Sequence, residues 1–184
     1  MRKLIEATVE ELAVSSYNDL TVRAVAARAA VSTTTAYTYF SSKDSLIAEA
    51  YLGLLRQAAV FTDVHDTVQC RVSAQLRELA LLIMDKPYFA DACTIALMAD
   101  GGAIEHVRVQ IASEVSQRIS AALGAGCPDD VAEALHMLFS GAMMHARSAV
   151  GGYGCVGDQL EASASLILGI QTPSAATILK DAVG

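Results

Sequence analysis

The side chains best placed to do chemistry in the first quarter of this chain are built for hydrogen bonding. Thr33, Thr34, Tyr37 and Thr38 carry hydroxyls, and Arg23 and Lys43 carry positive charge close by in sequence. Hydroxyls and cations of this kind donate to phosphate oxygens, and a Thr methyl can touch an apolar group, whereas only Arg23 offers a bidentate fork. Bond-breaking chemistry has no comparable cluster. No Ser-His-Asp set, paired carboxylates or phosphate loop stands out, so an enzyme is not expected. His65, His106, His136 and His145 are scattered, and Cys70, Cys93, Cys127 and Cys155 form no C-x-x-C pair. Neither a metal nor another cofactor is expected, and the cysteines read as reduced.

These groups sit in a chain of 184 residues, 53% hydrophobic and 18% charged, with a mean hydropathy of +0.39. That composition argues for a folded, soluble protein, and no apolar run approaches the roughly 18 residues of a bilayer span. Arg2 and Lys3 are soon followed by Glu6, Glu10 and Glu11, which does not suit a secretory leader. A cytoplasmic protein with no membrane partner is the expectation. The net charge is −7, yet up to Leu46 the bases Arg2, Lys3, Arg23, Arg28 and Lys43 balance Glu6, Glu10, Glu11, Asp19 and Asp44. The negative charge therefore belongs to the remainder, which predicts two parts, residues 1–46 and 47–184.

Apolar residues recur at helical spacing almost throughout, which predicts an all-α fold. The spacing predicts a first helix over about 2–15. Thr21 stands as N-cap of a short helix to Ala29, and Ser32 caps a shorter one from Thr33 to about Phe40. Two short helices joined by Ala30-Val31-Ser32 have helix-turn-helix geometry. A long helix opens after Ser41-Ser42 and runs to about Phe61. Further helices are predicted near 67–85, 88–99, 102–123, 129–150 and 158–170, the last two separated by a loop over 151–157.

The stretch Leu20 to Leu46, with Leu20-Thr21-Val22-Arg23-Ala24-Val25-Ala26, Ala29-Ala30-Val31-Ser32, Tyr37-Thr38-Tyr39-Phe40 and Lys43-Asp44-Ser45-Leu46, resembles the DNA-binding region of TetR/AcrR-type transcriptional regulators. The resemblance implies an N-terminal three-helix domain that binds double-stranded DNA, an operator in inverted-repeat form, and a larger helical domain for effector binding and dimerisation. By the same resemblance Arg23 matches a base-contacting position, Tyr37 and Lys43 match phosphate contacts, and Thr33 and Thr34 match specificity positions. Thr21 and Thr38 complete the expected DNA-facing set. Tyr39 and Phe40 are read as core, and Arg28 as an ordinary surface charge. Ala30 stands where the family usually has Gly, which costs about 1 kcal/mol if that residue is left-handed. Ser16, Thr34 and Ala36 also depart from the family pattern. The chain starts close to its first helix, so little extra phosphate attraction from a basic arm is expected.

The family's mode of action implies a homodimer whose repression is relieved by a small apolar effector. Tyr88, Phe89, Cys93, Ile95, Met98, Met137, Met143 and Met144 are suited to lining a cavity between helices, although a Met stripe equally suits plain core. His136 and His145 are nine residues apart, on opposite sides of one helix, and cannot share a ligand. Arg147 suits either an acidic ligand or a carboxylate of a partner subunit. The last two long helices match the family's dimer bundle, with Ser140, Gly141, Ala142, Ala162 and Ala164 permitting close approach and Leu160, Ile167 and Leu168 supplying buried area; internal core is the alternative. A rival function is a helical ligand-binding or interaction protein whose DNA module is degenerate.

Overall fold

The computed structural model of the chain describes residues 1–146 and 156–169. Arg147, Ala149, Cys155 and most of the 151–157 loop lie outside the described residues. The rest forms nine α-helices and no strand: α1 (Arg2–Glu11), α2 (Val22–Arg28), α3 (Thr33–Tyr39), α4 (Lys43–Gln57), α5 (Val68–Met84), α6 (Pro87–Leu97), α7 (Gly102–Leu123), α8 (Asp129–Ala146) and α9 (Val156–Ile167).

Local chemistry sets most of the starts. The hydroxyls of Thr21, Ser32, Ser42 and Thr67 each accept a hydrogen bond from a backbone N–H of the first turn of α2, α3, α4 and α5, satisfying donors that the helix itself leaves free. At Ser42 the cap is reciprocal, because Ser45 Oγ accepts from the Ser42 N–H. Pro87 opens α6, where its missing N–H costs nothing.

Two ends differ from the sequence expectation. The chain leaves α1 at Glu11, with Ala13 and Val14 N–H bonding three residues back rather than four. α4 stops at Gln57, four residues before the predicted end. There the fully buried Gln75 donates to Ala59 O at 3.1 Å and accepts from Phe61 N–H at 3.3 Å, while Glu78 accepts from Ala59 N–H. These α5 side chains hold the backbone in a loop conformation that a local pattern cannot reveal.

α4 organises the molecule. Its first half packs on α1, completing a small body with α2 and α3; its flanks also pack on α6 and α7. α5 packs on α7 and α9, and α8 bridges α7 and α9. Because α4 runs unbroken through residues 46 and 47, one rigid helix belongs to both bodies. A membrane-crossing role finds no helix: none is long and apolar enough to span a bilayer among the described residues.

The turn between α2 and α3 carries backbone strain. Ala30 has φ +54°, the only left-handed non-Gly residue among those described. Ala30 N–H bonds to Ala27 O and Val31 N–H to Ala26 O, closing a Schellman turn. An L side chain in this conformation costs about 1 kcal/mol. Ala30→Gly is therefore expected to raise unfolding free energy by roughly 0.5–1 kcal/mol, part of the strain relief being offset by the freer unfolded chain. Urea titration checks this; a loss of stability would show that the turn is not strained.

On the opposite side, Glu114 of α7 ties α4 to the body. It accepts from Arg56 Nε at 3.2 Å and from Arg118 Nη1 at 2.5 Å. Burial pushes the Glu114 carboxyl up, but the hydrogen bonds and charges of Arg118 and Arg56 outweigh it and leave the group below its ordinary value near 4.5. Because the folded-state value is the lower one, this stabilisation is present above the ordinary Glu range and is lost as pH falls through the depressed titration. Glu114→Gln, which removes the negative charge facing the buried Arg118, is expected to cost about 2 kcal/mol at pH 7. In acid titrations followed by circular dichroism the gap from the unsubstituted protein should narrow as pH falls below the ordinary Glu range. A gap independent of pH would contradict the assignment.

Candidate nucleic-acid interface

α3 is a helix of seven residues with Ala36 and, one turn on, Phe40 buried against the neighbouring helices. That single-residue stripe leaves the rest of the helix to solvent. Thr34, Tyr37 and Thr38 are exposed and Thr33 is half-buried. Tyr39 does not join the core as expected: it is 55% exposed, its ring tilted against that of Phe40, because Ala36 and Phe40 alone fill the inward face. Thr38 Oγ1 donates back to Thr34 O at 3.0 Å, and Thr35 is drawn into the cap by Ser32 Oγ at 2.7 Å. The hydroxyls of Thr33, Thr34 and Tyr37 have no protein partner among the described residues.

Neither α2 nor α3 contains an acidic residue. Arg23 is exposed on α2 and forms no ion pair among the described residues, so its fork is available. Thr21 spends its hydroxyl as an acceptor for Ala24 N–H at 3.1 Å. Arg28 is not a free surface charge: Glu11 Oε2 at 2.5 Å and Glu10 at 3.8 Å hold it against α1.

Lys43 is held in a way that its local sequence does not announce. Its ammonium donates to Tyr17 O at 2.9 Å and lies 3.8 Å from the centre of the Tyr17 ring. The Tyr17 hydroxyl donates to Asp44 Oδ1 at 2.7 Å. Burial, then the hydrogen bond and charge of Asp44, push the Tyr17 hydroxyl up to about 12, so it stays neutral at physiological pH. The cation–π contact and hydrogen bond fix the ammonium while two of its three N–H donors remain for an external oxygen. Tyr17 is the one residue of this cluster that sequence reasoning missed, since its partners are 26 and 27 residues away.

The head thus presents hydroxyls, one free guanidinium and one anchored ammonium, with no carboxylate on α2 or α3. It can donate to phosphate oxygens and read base edges.

In the larger body a cavity of about 260 Å³ lies between α4, α5, α6, α7 and α8. Cys93, Met98, Met143 and Met144 line it, together with Tyr51, Arg108 and His136. Phe89 is instead fully buried in the core, and Tyr88 and Met137 are 48% and 65% exposed away from the lining. On α6 the lining residues are Cys93, Thr94, Leu97 and Met98, a single helical face, and Tyr88 is about 140° around from Cys93. Ile95 also lies off that lining. Burial pushes the Cys93 thiol and the Tyr51 hydroxyl up, so both are neutral. His136 shares a hydrogen bond with Ser116 Oγ at 2.6 Å, whereas His145 is not part of the lining.

Along α8 and α9, Ser140, Gly141 and Ala162 are exposed, and Ala142, Ile167 and Leu168 are half-buried. Leu160 and Ala164 face inward, 1% and 0% exposed, because α9 packs on α5 and α8 of its own chain. The large apolar groups left outside on these helices are Met137, Met144 and Leu166.

Comparison with known proteins agrees with this architecture. A family model described as bacterial regulatory proteins, tetR family, matches residues 4–50. The chain is 46% identical over 177 residues to an HTH-type transcriptional regulator of Mycobacterium bovis, covering 94% of this chain and 83% of that protein; two from Mycobacterium tuberculosis match equally. The fold is similar to a TetR transcriptional regulator from Rhodococcus sp. RHA1, with a TM-score of 0.77 at 17% identity over 93% of this chain and 98% of the other. It is also similar to BioQ, solved with its double-stranded DNA operator, with a TM-score of 0.55 at 20% identity over 88% and 97% of the two chains. The chain belongs to the TetR family of DNA-binding helix-turn-helix transcriptional regulators.

Proposed function

We propose that the chain is a dimeric repressor that leaves an inverted-repeat operator when a small molecule enters the cavity beside α4. The observation that carries this reading is Tyr51, which lines the cavity from the same helix whose first residue is Lys43. Eight residues at 1.5 Å each put them about 12 Å apart on one rigid rod. A ligand that fits the cavity better in one pose of α4 shifts the population of that pose, and with it the spacing of two reading heads.

In this reading Thr33, Thr34, Tyr37 and Thr38 enter the major groove, Arg23 reads a base edge, and Lys43 and Tyr37 hold phosphates. Thr21 acts by capping α2, with the first turn of that helix facing the backbone. The intact caps and closed Schellman turn support a working head over a decayed one. Two copies are needed because one short helix reads few bases. We place the dimer contact on the exposed faces of α8 and α9, with Ser140 and Gly141 allowing approach and Met137, Met144 and Leu166 supplying apolar area; Leu160 and Ala164 support that face from within.

The operator is obtained by sequencing genomic fragments retained by the purified protein, and an inverted repeat is expected. Tyr37→Phe with Lys43→Ala should weaken operator and random DNA by similar factors and flatten the salt dependence. Arg23→Ala should instead remove about 1–3 kcal/mol of discrimination between them. Unchanged isotherms in both variants would refute this reading head.

A separate test addresses symmetry. Met137→Glu with Leu166→Glu is expected to give a monomer in sedimentation velocity and to reduce operator affinity toward that for random DNA. A dimer that survives both charges would put the contact on another face.

A further inference from the structure

We infer that the cavity takes a small monocarboxylic acid with an apolar tail, its carboxylate received by Arg108. The inference rests on the effector reading of this cavity and names the class of ligand. Arg108, half-buried on α7, is the one side chain among the lining residues that is charged over the whole physiological range, and the lining contains no Asp or Glu. Its Nη1 donates to Leu97 O at 3.1 Å and reaches Ala99 O at 3.5 Å, which fixes the guanidinium at the C-terminal end of α6. It forms no ion pair among the described residues, and its Nε and Nη2 donors have no protein partner there. That leaves free the N–H pair whose geometry matches a carboxylate.

The remainder of the lining is apolar or neutral. Met98, Met143 and Phe139 suit a hydrocarbon tail, while Thr94 and Ser140 add only hydroxyls. The carbonyls at the end of α6 leave the guanidinium without a full counter-charge, so an incoming carboxylate gains an ion pair that an alcohol or amine does not. A cavity of about 260 Å³ admits a small molecule.

Octanoate, 1-octanol and octylamine share one tail and differ in head group, so isothermal titration calorimetry on the full chain separates charge from burial. Octanoate is expected to bind at least tenfold more tightly than octanol, with octylamine weakest. Arg108→Gln, which keeps a donor for Leu97 O, should bring octanoate down to the octanol level and leave octanol unchanged. Arg108→Lys should retain part of the preference. Equal binding of octanoate and octanol, or equal loss of both in Arg108→Gln, overturns the carboxylate inference while leaving the effector cavity standing. Binding of none of the three by the unsubstituted protein overturns both readings. Because the head-group comparison is made on the unsubstituted protein, the inference stays falsifiable even if a variant fails to fold.

Discussion

The packing of α4 is the constraint on which the molecule depends. Leu46, Ile47, Leu52 and Leu55 are wholly buried along it, and each such side chain contributes about 1.5–3 kcal/mol. Several residues of this kind on one helix far outweigh the roughly 1 kcal/mol of strain at Ala30 or any single surface ion pair. The N-terminal end of α4 is fixed by the Ser42–Ser45 cap and by Tyr17, its C-terminal end by Arg56 on Glu114. A helix held at both ends and buried between them cannot bend freely. In the proposed mode of action, this helix is what passes movement of one body to the other.

That rigidity gives the two sites a physical connection. The head contributes few strong groups: a free guanidinium, an ammonium held over an aromatic ring, and a set of hydroxyls. It gains by limiting repulsion, since Glu10 and Glu11 are paired with Arg28 and no carboxylate lies on α2 or α3. The body is acidic overall, yet its cavity is lined by a cation and by no carboxylate. Charge is thus sorted locally, and a sum over the chain conceals both sites.

Much of the head was legible in the sequence because its determinants are local. Thr21, Ser32 and Ser42 cap within three residues of themselves, and the left-handed Ala30 stands where the family pattern has Gly. What escaped depended on distant partners. Tyr17 positions Lys43 from the loop after α1, and Gln75 ends α4 from across the fold. The cavity is assembled from five helices, so composition found Cys93, Met98, Met143 and Met144 but also gathered Phe89, Tyr88 and Met137, which face elsewhere. Tyr51 and Arg108 went unselected, although a Tyr amid the apolar run of α4 and an Arg among the apolar positions of α7 were the available signals. Leu160 and Ala164 show the same limit: an apolar helix face does not say whether its own chain or a partner covers it.

The central claim is that two rigid heads present α3 to the duplex at a spacing set by the body. Hydroxyl-radical footprinting of a retained genomic fragment tests it most directly. The account predicts two symmetric protected patches on the major-groove side, separated by about one helical turn of 10–10.5 base pairs or a multiple of it. A single patch, or protection without symmetry, would contradict it.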